Sequence, residues 1–200
     1  MTCSVVIPAH DEAATIGDVI IAASGFDVVV VADACTDATA QVARGLGARV
    51  IAIDAADKGT AMAAGLAAVG SDDVLFLDAD LIGLLPGHVQ ALASIPPPDG
   101  MVVGLRDNGP FTDSGLPPIT GERRLPTAFA KSVPLAGTGY RAELLIDAAV
   151  GRAGLPHRHY RMVGVSNPVR SWRHPLMWAD LAVTAVANAP ALVRYSANKS

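Results

Sequence analysis

The sequence is poor in aromatic residues and has no large cluster of basic ones. Phe, Trp and Tyr make up 4% of its 200 residues, too few for the base-stacking surfaces of proteins that bind single-stranded nucleic acid. The net charge is −4, and the basic run Arg123-Arg124 is long enough for one small anion rather than a phosphate backbone. We therefore expect no nucleic-acid partner.

Cysteine is scarce as well. Cys3 and Cys35 are the only two cysteines. Each lies in an apolar stretch, and their spacing is not that of a zinc or redox site. The first residues lead directly into a strand pattern, without the basic segment and cleavage site of a secretory signal. We predict buried thiols, a reducing compartment and a cytoplasmic location.

The sequence also lacks a long uninterrupted apolar run. Residues 181–193 form one of the longest stretches without charge, and they fall short of the roughly 20 residues that a bilayer-spanning helix needs. We therefore expect no membrane span. A helix lying on the membrane surface, and hence peripheral membrane contact, stays compatible with the composition.

Short Val/Ile-rich runs alternate with Ala-rich stretches over the first hundred residues. This alternation is typical of βαβ units and a mainly parallel sheet. Apolar residues form 51% of the chain, enough for the core of one α/β domain of this length. We predict a single domain, residues 1–200, with helices flanking a mainly parallel central sheet. The predicted strands span residues 3–8, 27–32, 49–53, 73–77 and 100–105. The predicted helices span residues 13–23, 36 to 45 or 47, 58–69 and 86–94.

The pattern is weaker in the second half of the chain. Residues 106–120 are rich in Pro, Gly and Asp and have no periodicity, which indicates either a functional lid or a disordered loop. Beyond them we predict helices at residues 123–131, 141–152 and 175–194, and an edge strand at residues 159–165.

The predicted strand 73–77 ends in Asp78-Ala79-Asp80. In open α/β sheets, ligands bind at the carboxyl edge of the strands. Two carboxylates at a chain reversal can reach one hard cation, and oxygen ligands suit Mg²⁺ or Mn²⁺. By itself this pattern is also typical of solvated turn aspartates, which are the more frequent case.

Three further segments accompany Asp78-Ala79-Asp80 in the first eighty residues. They are residues 5–16 (VVIPAHDEAATI), 31–37 (VADACTD) and 58–66 (KGTAMAAGL). In this order and spacing, the four segments resemble those of family 2 glycosyltransferases of the GT-A fold. The resemblance implies a Rossmann-like GT-A domain, a nucleotide-diphosphate donor such as a UDP- or GDP-sugar, and Mg²⁺ or Mn²⁺ as cofactor.

The resemblance also assigns roles to residues of the nucleotide-sugar-binding half, residues 1–105. The backbone of the first loop contacts the base, Glu12 reaches the base or ribose hydroxyls, and Asp33 accepts a hydrogen bond from a base N–H. Lys58-Gly59 meets the donor phosphates, and the Asp-x-Asp segment holds the metal and diphosphate. The implied donor-site residues are Pro8, Ala9, His10, Glu12, Asp33, Lys58, Gly59, Asp78 and Ala79, with Asp80 as a metal ligand and catalytic residue.

Structural explanations compete with several of these roles. Glu12 is also an acid of the kind that a helix dipole favours in a first turn. Asp33 suits an ordinary turn, Lys58 a solvated surface, and His10 a surface loop. His10 stands where the family usually has an aromatic residue and Cys35 where it usually has Ser, which leaves the base preference open.

Residues 106–200 are the predicted acceptor-binding half. Residues 120–125 (TGERRL) and 137–147 (GTGYRAELLID) resemble segments of family members that act on polyprenyl phosphate or phosphoglycerate. The resemblance implies that Arg123 grips a phosphate or carboxylate, for which a guanidinium fork is suited. The alternative is a structural pair between Arg123 and Glu143.

The remaining candidates are a third metal ligand and a catalytic base. Residues 170–176 resemble a region of the phosphoglycerate-directed relatives in which a histidine binds the metal, which points to His174, with His157 and His159 as rivals. An inverting transfer to a hydroxyl needs a carboxylate base, and the candidates are Glu122, Glu143 and Asp113. A phosphate acceptor, already ionised, needs none.

We predict a metal-dependent glycosyltransferase that moves a sugar from a nucleotide-diphosphate donor to a small or lipid acceptor bearing phosphate or carboxylate. A homodimer is compatible with the sequence. The alternatives are a nucleotidyltransferase on a similar sheet and a non-catalytic nucleotide-sugar-binding protein. The former should carry a Gly-rich basic loop after its first strand, where this chain has residues 8–12 (PAHDE).

Overall fold

The computed structural model describes residues 1–96, 99–107, 118–168 and 175–197. Seven strands of these residues form one sheet in the order β3-β2-β1-β4-β6-β5-β7. All neighbours pair in parallel except β6, which is antiparallel to both β4 and β5. The strands are β1 Cys3–Ala9, β2 Asp27–Asp33, β3 Arg49–Ile53, β4 Asp73–Phe76, β5 Met101–Arg106, β6 Arg123–Pro126 and β7 His157–Met162. The predicted fold class, a mainly parallel sheet flanked by helices, is confirmed.

Helices follow the strands in the first half and cluster together in the second. A 3₁₀ turn at Gly139–Arg141 leads directly into α6. None of the described helices has the length and apolarity needed to cross a bilayer. The helices are α1 Ile16–Ala22, α2 Thr39–Gly45, α3 Lys58–Ala68, α4 Pro86–Ser94, α5 Thr127–Ser132, α6 Ala142–Ala153, α7 Pro175–Ala187 and α8 Ala189–Ala197.

The central strands β1, β2, β4 and β5 are buried on both faces, whereas the edge strands β3 and β7 are partly exposed. In β1, Val5 packs into one core cluster with α1 and α4, while Val6 packs into another with α3 and α6, because successive side chains of a strand point to opposite faces. Gly65 lets α3 lie close to the sheet, since a Cβ there would overlap the Val6 side chain. Burial on both faces explains why these strands read as nearly continuous apolar runs.

Two predictions for the second half are wrong. Residues 123–126 form a strand and not the start of a helix, because pairing with β4 and β5 and burial of Arg123 and Arg124 override local preference. The predicted helix 175–194 is two helices, and Pro190 is the second residue of α8, a position where its missing N–H is tolerated. The edge strand is confirmed, although it spans His157–Met162.

Candidate functional site

A cleft of about 700 Å³ opens at the carboxyl edge of the parallel strands. The loops that follow β1, β2, β3 and β4 meet there, because parallel strands end at the same edge of a sheet. The opposite wall comes from the segment before β6, the 3₁₀ turn, α6 and α7. Of the predicted donor-site residues, Pro8, Ala9, His10, Glu12, Asp33, Lys58, Asp78, Ala79 and Asp80 line the cleft, and Gly59 does not.

Asp78 is held from two sides by cations. Lys58 Nζ lies 2.7 Å from its Oδ1, and Arg106 Nη1 lies 3.1 Å from its Oδ2. Burial by itself would raise the pKa of the Asp78 carboxyl, but the charges of Lys58 and Arg106 outweigh it and hold that pKa at about 2. Asp78 is therefore an ionised carboxylate whose charge is already balanced by protein groups.

Asp80 is in the opposite environment. Burial first, and then the negative charges of Asp78 and Glu12, raise the pKa of its carboxyl to about 6. The negative charge around Asp80 is thus incompletely compensated by the protein. Carboxylate oxygens in such a field suit a divalent cation of the Mg²⁺ or Mn²⁺ type, so the donor set fits the predicted metal.

The segment before β6 closes over Asp78. Gly121 lines the cleft, and a Cβ at this position would overlap the Asp78 carboxylate. The side chain of Asp78 is therefore fixed by contact with the second half of the chain as well as by its two cations.

The first loop is tied to the loop after β2. Asp11 Oδ1 accepts hydrogen bonds from the backbone N–H groups of Thr36 and Asp37, at 2.6 and 3.2 Å. His10 Nδ1 lies 2.7 Å from the Asp33 carbonyl oxygen. The non-glycine residues Asp11, Ala34 and Ala56 all have φ near +50°, a strained conformation that is often found at functional sites.

Asp33 organises the loop before α3. Its Oδ1 accepts from the N–H groups of Ala55 and Ala56, both at 2.8 Å, and its Oδ2 from that of Asp57 at 2.7 Å. These bonds occupy most of the carboxylate's accepting capacity. Asp33 therefore fixes the backbone beside the cleft, and its contact with a base stays a prediction.

The amino end of α3 joins the two halves of the chain. Lys58 Nζ lies 2.6 Å from Glu143 Oε1 of α6, and Asp57, which caps α3, also accepts from the Gly139 N–H at 2.8 Å. Gly59 has no room for a side chain because Leu135 and Thr138 lie against it. Gly59 thus lies in this joint, and its predicted contact with the donor phosphates remains untested.

The structure does not bring Arg123 to the cleft. Arg123 is fully buried, and its Nε and Nη2 lie 3.1 and 2.9 Å from the two carboxylate oxygens of Asp147 in α6. The predicted anion grip by Arg123 is therefore corrected to a structural ion pair. The alternative pair with Glu143 is corrected too, because Glu143 pairs with Lys58.

Glu122 is also fully buried and does not line the cleft. It accepts a hydrogen bond from the Thr120 hydroxyl and lies 3.7 Å from Arg106 Nη1, and burial raises the pKa of its carboxyl. Glu122 therefore supports Arg106, and we correct its assignment as a catalytic base. Glu143 does line the cleft, whereas Asp113 lies outside the described residues.

The predicted metal-binding histidine, His174, lies outside the described residues as well. Its rivals His157 and His159 do not line the cleft. His157 stacks on Tyr195 with ring centroids 3.9 Å apart, and His159 Nε2 lies 3.2 Å from the Tyr195 hydroxyl. Both histidines thus belong to the packing of β7 against α8.

Sequence reasoning missed several cleft residues. Arg106 ends a buried strand beside the predicted ligand edge, and a charged residue at that position could have been predicted to belong to the site. Tyr140 lies in a segment that the sequence had singled out. Asn167, Trp178 and Leu181 also line the cleft, and no local pattern marked them.

The part of the cleft formed by the described residues is strongly acidic. Among these residues, seven carboxylates line the cleft, against two permanently cationic side chains. A nucleotide diphosphate would be repelled by this field unless a divalent cation accompanied it. The carboxylates are Asp11, Glu12, Asp33, Asp57, Asp78, Asp80 and Glu143, and the cations are Lys58 and Arg106.

Comparison with known proteins agrees with this geometry. Residues 4–95 match the family model described as glycosyl transferase family 2. A crystal structure of glucosyl-3-phosphoglycerate synthase from Mycobacterium tuberculosis with Mn²⁺, UDP-glucose and phosphoglyceric acid is 25% identical, with a TM-score of 0.77 over 94% of this chain and 79% of that one. The same enzyme with Mn²⁺ and UDP-glucose is 27% identical, with a TM-score of 0.75 over 96% and 78%. The search of curated proteins finds no match.

Proposed function

We propose that this protein, a glycosyltransferase of the GT-A fold whose residues 4–95 match family 2, moves a sugar from a nucleotide-diphosphate donor to an anionic acceptor. The observation that carries the proposal is the acidic cleft, in which Asp78-Ala79-Asp80 faces the first loop and Lys58. The similar enzyme binds Mn²⁺ and UDP-glucose, which supports UDP-glucose as the first donor to test.

The metal would be held by Asp80 together with Asp78. When bound, Mg²⁺ or Mn²⁺ supplies a Lewis acid that neutralises the charge developing on the leaving diphosphate. Arg106 forms an ion pair with Asp78, and Gly121 packs against the Asp78 carboxylate. Lys58, at the amino end of α3, faces the same cleft and can donate a charge-assisted hydrogen bond to the diphosphate.

The donor nucleoside would lie against the first loop. Pro8, Ala9 and His10 line this part of the cleft, and hydrogen bonds of His10 and Asp11 join this loop to the end of β2 and to the loop after it. A rigid backbone surface of this kind reduces the ordering needed when a ligand binds.

The acceptor would lie against the wall from the second half. Phosphoglyceric acid is bound by the similar enzyme, which supports an acceptor bearing phosphate or carboxylate. Tyr140, exposed at the start of this wall, lies opposite the predicted donor site. Because Arg123 is buried, it would not contact that anion.

A transfer assay tests the proposal. UDP-glucose and GDP-glucose are each incubated with Mn²⁺, the protein and one of three acceptors, namely 3-phosphoglycerate, a polyprenyl phosphate or neutral glycerol. We expect a glycosylated product with a phosphorylated acceptor and none in EDTA. Transfer to glycerol alone would refute the anionic acceptor, and failure of every donor would refute the donor class. A cytoplasmic location, a homodimer and peripheral membrane contact stay predictions.

A further inference from the structure

Lys58 bridges carboxylates from the two halves of the chain. Its Nζ lies 2.7 Å from Asp78 Oδ1 and 2.6 Å from Glu143 Oε1. Lys58 opens α3 and Glu143 belongs to the first turn of α6, and both line the cleft. An ammonium group donates three hydrogen bonds, so one proton of Lys58 is left over after these two bonds.

The helices that carry this pair are fixed by other contacts. Asp57 Oδ2 accepts from the Gly139 N–H at 2.8 Å, and Thr60 Oγ1 accepts from the Gly137 N–H at 3.0 Å. Gly59 packs directly on the same segment. The segment that leads into α6 is therefore held against α3 by contacts other than the ion pair, and we expect the Glu143 carboxylate to have its main effect on Lys58.

Without Glu143, the Lys58 ammonium would be attracted toward Asp78 alone. Asp78 is the other carboxylate within ion-pair distance of Lys58 in the described residues, and Asp80 lies in the same acidic segment. Lys58 would then move closer to the carboxylates that the donor's cation needs. Glu143 balances this attraction and keeps the ammonium between the acidic segment and the wall of the second half.

We propose that Glu143 is a positioning residue for donor binding. Its carboxylate holds the Lys58 ammonium beside the position of the donor's diphosphate. This proposal rests on the proposed function, since it assumes a nucleotide-diphosphate donor. It also links the two halves of the site, because a residue of the acceptor wall sets the position of a donor-binding cation.

The net charge of the cleft and the positioning role of Glu143 predict opposite effects on UDP affinity. Removing one negative charge from an acidic cleft should strengthen the binding of the anionic UDP. If Glu143 positions Lys58, removing its charge should weaken UDP binding instead. The sign of the effect therefore separates positioning from bulk charge.

The test measures UDP binding by calorimetry in saturating Mn²⁺, which requires no turnover. The variants are Glu143→Gln, Lys58→Met and the double variant. The control is Asp54→Asn, which removes one negative charge from the loop that follows β3. Asp54 is exposed and does not line the cleft.

We expect Glu143→Gln to raise the Kd for UDP about tenfold, a change of about 1.4 kcal/mol, whereas Asp54→Asn leaves the Kd unchanged or lowers it slightly. In the Lys58→Met background, Glu143→Gln should have no further effect, since coupled residues are not additive. Equal or tighter UDP binding in Glu143→Gln would overturn the proposal. An undiminished effect in the Lys58→Met background would overturn it too.

Two outcomes need a separate measurement. If Glu143→Gln does not fold, Glu143→Asp keeps the charge but shortens its reach, and wild-type UDP affinity in that variant would overturn the proposal. If the wild-type protein does not bind UDP with Mn²⁺, the proposed function itself fails. If the wild-type protein binds UDP and Glu143→Gln binds it equally well, this inference fails and the proposed function stands.

Discussion

The buried pair of Arg123 and Asp147 gives the most demanding test of the structure. Arg123 and Asp147 are both fully buried, and two hydrogen bonds of 3.1 and 2.9 Å join them. Removing one member leaves the other as an uncompensated buried charge, which costs about 3–5 kcal/mol. We therefore expect Arg123→Met and Asp147→Asn each to destabilise the protein by this amount.

The effect should be large in a thermal unfolding experiment. For a chain of this size, a change of 1 kcal/mol moves the midpoint by about 2–4 °C, so each single variant should lose about 6–20 °C. The double variant Arg123→Met/Asp147→Leu replaces both charges with apolar side chains, a change that is often neutral or stabilising for a buried pair. It should recover most of the loss.

A second measurement separates structure from acceptor binding. At a temperature where the variants remain folded, UDP affinity and the acceptor KM should stay close to those of the wild type, because neither residue lines the cleft. An unchanged thermal midpoint in Arg123→Met, together with a raised acceptor KM, would refute the structural assignment. It would reinstate the anion site that the sequence had suggested.

Three further predictions concern the cleft. UDP at a hundred times its Kd should stabilise the protein by about 2.7 kcal/mol with Mn²⁺, and equal stabilisation in EDTA would contradict the metal assignment. Gly121→Ala should abolish Mn²⁺-dependent UDP binding, as measured by calorimetry, because its Cβ would displace Asp78, whereas Gly87→Ala, with open space around it, should bind UDP normally. Ala56→Gly should not destabilise the protein in thermal unfolding and should raise the midpoint slightly, because glycine relieves the strain at φ +49°. Ala55→Gly, the adjacent control, should lower the midpoint, and a larger loss in Ala56→Gly would contradict the strain argument.

The first half of the fold was predictable because its strands are apolar runs separated by helical stretches, and most of these strands are buried on both faces. β3 and α4 have the predicted bounds, and the other elements from β1 to β5 differ from the predictions by at most a few residues. Apolar runs of this kind can be recognised from the local sequence, without knowledge of contacts with distant residues. The donor side of the site followed from them, since the strand ends mark the ligand edge of such a sheet.

The second half was less predictable because its stability depends on distant partners. The sequence indicated that Arg123 and Arg124 open a helix and serve one small anion, yet both are buried in β6. Arg123 is paired with Asp147 of α6, and Arg124 with Asp73 of β4 at 3.2 Å. No local pattern reveals a pairing between residues so far apart in the chain. The prediction of an anion site at Arg123 failed for this reason.

The two aspartates of the Asp-x-Asp segment differ because of contacts that the sequence could not show. Lys58 and Arg106 come from different parts of the chain and both reach Asp78, which keeps its pKa low, while Asp80 is left in a net negative field that raises its pKa. Titratable neighbours whose environments push their pKa values apart commonly have different roles. Asp78 therefore lies between the two cations of the cleft, and the proposal that Asp80 and Asp78 together hold a divalent cation is what the Mn²⁺-dependent binding experiments test.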